Sequence, residues 1–73
     1  MVFLIEKRHT VGAFRTIAAK DYLDDAEELV KEEMNQIGGI WQSYESKKPV
    51  EGEIMSVKTG NKHNNTILRI RKV

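Results

Sequence analysis

Arg69 and Arg71 alternate with Ile67 near the end of the chain, Lys58 alternates with Ile54 and Ser56, and Arg15 stands two before Ile17. In an extended chain, residues two apart point to the same side. The spacing therefore predicts a sheet face where guanidinium and ammonium groups are interleaved with isoleucine. Such a face does non-covalent chemistry: arginine forks grip carboxylates or phosphates, and aliphatic side chains between them supply apolar anchors. Arg15, Lys58, Arg69, Arg71, Ile67 and Ile54 are the partner-binding residues expected on this basis.

Covalent chemistry finds few candidates. The 73 residues include no cysteine and two histidines, His9 and His63, far apart in the chain. No thiol nucleophile, thiolate zinc site or multi-histidine centre can be assembled from them. Gly38-Gly39 follows a helical pattern, whereas a phosphate-cradling loop opens one. Asp21, Asp24 and Asp25 lack the spacing and glycine of a calcium loop. Asn64-Asn65-Thr66 has the form of a glycosylation sequon and reads here as turn chemistry. A non-enzymatic protein without cofactor or metal is expected.

The elements that must position these residues follow from periodicity. Val2–His9 and Phe14–Ala19 are strand candidates, with Thr10–Ala13 and its Gly12 closing a hairpin. Leu23, Ala26, Val30, Met34 and Ile37 recur at helical spacing, with Asp21 as the expected cap and Gly38-Gly39 as the stop. Ile40–Glu45 alternates, Glu53–Thr59 is a strand, and Thr66–Val73 is the strongest strand pattern of all. Gly60–Asn65 joins the last two as a polar hairpin loop. The order β-β-α-β-β, with a further strand around Trp41, predicts an α+β fold: one domain, an antiparallel sheet and one amphipathic helix across one face. Alternation sets Phe14, Thr16 and Ala18 against Arg15 and Ile17. Trp41 and Tyr44, an odd number of residues apart, fall on opposite faces.

Composition bounds the rest. The chain is 40% hydrophobic and 32% charged, too apolar for a disordered tail. Its longest unbroken apolar run, Met1–Ile5, is too short to cross a bilayer. No membrane association and a cytoplasmic location are expected. A domain this small often leans on a partner, and pairing of the last strand's edge with a second copy is one route to a homodimer. The net charge of +1 conceals a strong partition. Residues 21–45 set eight carboxylates against Lys31, while the flanking segments are basic. This dipolar arrangement steers association.

The stretch FRTIAAKDYLDDAEELVKEE, residues 14–33, resembles the hairpin–helix units of small phage and mobile-element proteins. In length and layout the chain resembles small phage-encoded regulators that bind host RNA polymerase. That resemblance implies a compact regulator occupying a surface of a host protein such as the transcription machinery, and it carries over no contact residue. The alternative expectation is a small single-stranded DNA or RNA-binding domain on the basic strand face, with Trp41 or Tyr44 stacking on bases.

Overall fold

β-branched and aromatic residues favour extended backbone, and five segments form strands. In the computed structural model, which describes residues 1–73, these are β1 (Phe3–His9), β2 (Arg15–Lys20), β3 (Trp41–Ser43), β4 (Glu53–Gly60) and β5 (Asn65–Lys72). The single helix, α1 (Leu23–Ile37), lies between β2 and β3 in the chain. The strands form one antiparallel sheet in the order β2-β1-β5-β4-β3. The fold is thus α+β, with the extra strand at Trp41 present as a three-residue edge.

β5 is the centre of this sheet, paired along its length to β1 on one side and β4 on the other. Its edges are consumed, which removes the expected route to a dimer through the last strand. The free edges belong to β2 and β3.

α1 packs on β1, β2 and β5. Ala26 and Val30 meet Ile5, Leu68 and Ile70, all at most 2% exposed, with Leu23, Leu29 and Met34 packed around them. Each of the fully buried Ile5, Val30, Leu68 and Ile70 side chains contributes roughly 1.5–3 kcal/mol through removal from water. Asp24 and Asp25 complement the helix dipole in the first turn. The expected Asp21 cap is not formed: Tyr22 is the N-cap residue, without a side-chain hydrogen bond. At the other end the Gly38 N–H donates to the Met34 carbonyl (2.8 Å), and Gly38 takes φ +78°, a conformation that glycine adopts without a Cβ penalty. The Trp41 indole N–H then donates to the Gly38 carbonyl at 3.0 Å, tying β3 to the helix end.

Two irregularities alter the expected faces. Ile5 pairs with Ala18 and Glu6 with Thr16, so Ile17 is an extra residue in β2. This bulge brings both Ile17 and Ala18 against the core and leaves Thr16 opposite Glu6. Arg15 comes opposite Lys7, in the row of Leu68 and Val57 on the helix side of the sheet. The expected placement of Arg15 and Ile17 beside Arg69 is therefore overturned, because a bulge breaks the two-residue period. A second bulge in β4 leaves Ile54 between Glu53, opposite Arg71, and Met55, opposite Ile70.

Leu68 is fully buried between the helix and the sheet centre. Leu68→Ala is expected to lower the unfolding free energy by about 2–5 kcal/mol, measured by urea denaturation. An exposed-site control such as Lys31→Ala should change it by less than about 0.5 kcal/mol.

Candidate functional site

The face turned away from α1 is built around a carboxylate. Glu6 sits in β1 directly opposite Arg69 of β5, with Arg71 two residues further along the same strand. Glu6 is 6% exposed, and a carboxylate that deep must be paired. The Arg69 Nε donates to Glu6 Oε1 at 2.7 Å. Arg71 grips the same carboxylate as a fork, Nε to Oε1 and Nη2 to Oε2, both at 3.2 Å. Glu53 extends the network: its Oε1 lies 4.0 Å from Arg69 Nη1 and accepts a hydrogen bond from Ser46 Oγ at 3.1 Å. Burial alone would raise the Glu6 pKa, but the hydrogen bonds from Arg71 and Arg69, with their positive charges, outweigh it and hold the group below its ordinary value of 4.5.

Aromatic rings close in over this face from the two edges of the sheet. Phe14, just before β2, lies under the Arg69 guanidinium at 3.7 Å from ring centre to Cζ, with the Arg8 guanidinium at 5.2 Å. Tyr44, just after β3, lies under the Lys58 ammonium at 5.5 Å. These contacts are within cation–π range. Between the rings is a depression of 360 Å³ lined by Arg8, Phe14, Tyr44, Ile67, Arg69 and the segment Ser46–Lys48. No carboxylate lines it. Arg8, Lys47, Lys48 and Lys58 form no salt bridge, and the buried Arg8 Nε has no hydrogen-bond partner.

The expected partner-binding residues are thus dispersed. Arg69, Arg71 and Lys58 share the open face, but the two arginines are bound to Glu6. Ile67 lies in the depression and is 2% exposed, so its side chain offers no surface to a partner. Ile54 remains accessible at 43%. Arg15 is exposed but lies in a row of the helix side. Trp41 packs against the main core while Tyr44 faces the other way, as their spacing requires. Sequence reasoning did not assign Glu6, Phe14, Lys47 or Lys48 to the site. A lone Glu between the apolar start and the basic end of the VFLIEKRH segment was the available signal for the first.

Opposite this face, the helix exterior is acidic, with Asp24, Asp25, Glu28 and Glu32 exposed. Lys7 bridges the sheet to Glu33 at 3.6 Å. No group of three or more histidine or acidic residues is arranged to hold a metal ion, and no helix is long and apolar enough to cross a membrane. No family model, curated protein or solved structure matches the chain.

Glu6→Gln leaves two guanidinium groups without their shared counter-ion. It should cost about 3 kcal/mol of stability at pH 7, read from urea midpoints. The pH dependence follows from the lowered pKa of Glu6. Its contribution is fully present above the ordinary value of 4.5 and is lost as pH falls through the lower native value. Acid titration of stability should show a loss below that point that is reduced in Glu6→Gln; identical acid profiles for the two proteins would contradict the assignment.

Proposed function

We propose that the protein is a non-enzymatic binding module that takes single-stranded nucleic acid on the open face of its sheet. The observation that carries this reading is the carboxylate-free depression between Phe14 and Tyr44, lined by Arg8, Lys47 and Lys48, none of which is in a salt bridge. Cations without internal counter-ions attract a phosphate backbone, and the Tyr44 ring beside them gives bases a surface on which to stack. The acidic helix on the opposite side repels the same backbone, so a strand is steered to one face only. The burial of Ile67 and the inward turn of Ile17 weaken the case for a face that binds through a cluster of aliphatic anchors.

A second reading rests on Ile54, exposed at the bulge beside Glu53 and Arg71. In that reading the chain is a regulator occupying an acidic surface of a host protein such as the transcription machinery, with Ile54 as the apolar anchor.

Fluorescence anisotropy with a labelled thymidylate dodecamer tests the first reading. Saturable binding is expected, and contact with about four phosphates implies an affinity about fiftyfold weaker after a fourfold rise in salt. Absence of binding at low salt, or binding insensitive to salt, would contradict it. A tagged pull-down from lysate separates the two readings: a stoichiometric protein retained after nuclease treatment and released by Ile54→Glu supports the second.

A further inference from the structure

We infer that the depression between Phe14 and Tyr44 is a subsite for one nucleotide of a bound strand, with Arg8 as the anchor of its phosphate. This rests on the single-strand reading and assigns a role within it. Three guanidinium groups stand on the open face, and two of them are spent on Glu6. Arg8 alone has no carboxylate partner. It faces the depression from β1, in the same cross-strand row as Ile67. Its Nε is shut off from solvent and unpaired. Arg8 as a whole is partly exposed, so the remainder of its fork is open to a ligand in the depression, and an arginine fork is shaped to take phosphate oxygens.

The surroundings suit one nucleotide. The volume of 360 Å³ falls within the range of roughly 300–1,000 Å³ typical of small-ligand sites. Lys47 and Lys48 stand on its rim, on a segment fastened to the ion network where Ser46 Oγ donates to Glu53. They add positive charge on the side opposite Arg8. The Tyr44 ring, also part of the lining, gives the base a flat apolar neighbour. Phe14 is covered closely by the Arg69 guanidinium at 3.7 Å, whereas the Lys58 ammonium stands 5.5 Å from the Tyr44 ring centre; Phe14 therefore positions the cations, and Tyr44, the less tightly covered ring, is the stacking ring.

The test is the salt dependence of dodecamer binding by wild type, Arg8→Gln and Arg8→Lys. Arg8→Gln should bind about tenfold more weakly. The slope of log affinity against log salt should be shallower by about 0.7, the value for one lost phosphate contact on a single strand. Arg8→Lys should keep the wild-type slope while losing part of the affinity, because charge survives and the fork does not. Unchanged affinity in Arg8→Gln, or a loss with the slope unchanged, would overturn the assignment and leave the single-strand reading standing. A dodecamer bound no more tightly than thymidine monophosphate would overturn the strand subsite in favour of a free phosphate ester. No binding by wild type would sink the single-strand reading itself and the subsite with it. Should Arg8→Gln fail to fold, the rim variant Lys47→Gln/Lys48→Gln, on exposed positions, should flatten the slope by roughly twice as much; an unchanged slope there would equally overturn the site.

Discussion

A single carboxylate organises the face of this protein that the helix does not cover. Strand alternation places Glu6 on that face, and central pairing of β1 with β5 puts Arg69 opposite it and Arg71 within reach. Only 6% exposed, Glu6 satisfies both its oxygens with guanidinium donors. The desolvation cost of such a group is offset only by this geometry. Once Arg69 is held by Glu6, its plane is fixed over Phe14 and its other end reaches Glu53, which in turn holds Ser46. The position of the Ser46–Lys48 segment, and with it the rim of the depression, follows from one buried negative charge.

This arrangement divides the basic residues into two populations. Arg69 and Arg71 are neutralised within the fold and act as structure. Arg8, Lys47, Lys48 and Lys58 have no internal counter-ion, so their charge is not neutralised within the fold. A count of cations on the face would overstate its appetite for anions; the geometry identifies which of them are free. With the acidic helix exterior on the other side, the molecule keeps a near-neutral total while presenting opposite signs on opposite faces. The helix buries the apolar side of β1, β2 and β5, and Trp41, Met55 and Val57 pack at the margin of that core.

The layout was legible in the sequence where local rules act alone. The helical stripe of Leu23, Ala26, Val30 and Met34, its glycine stop and the alternation of Ile67–Arg71 each signal the element that forms. The faces of β2 were not legible, because one extra residue at Ile17 reverses the side of everything before it, and bulges leave no mark on a period-two pattern. The burial of Ile67 was hidden for a different reason: the groups around it, Phe14, Tyr44 and Ser46–Lys48, lie outside its strand and meet only through the topology. The pairing of Glu6 with Arg69 spans 63 positions in the chain and depends on β1 lying beside β5. The sequence order of the strands alone does not dictate that neighbour.

The face that would receive a nucleic-acid strand is the decisive feature of the proposed function. Backbone amide shifts recorded by nuclear magnetic resonance during titration with the thymidylate dodecamer report this directly. Perturbations are expected to concentrate at Arg8, Phe14, Tyr44 and Ser46–Lys48, with the exposed helix positions from Asp24 to Glu32 unmoved. Perturbations centred on the helix, or spread evenly over both faces, would contradict the proposed function.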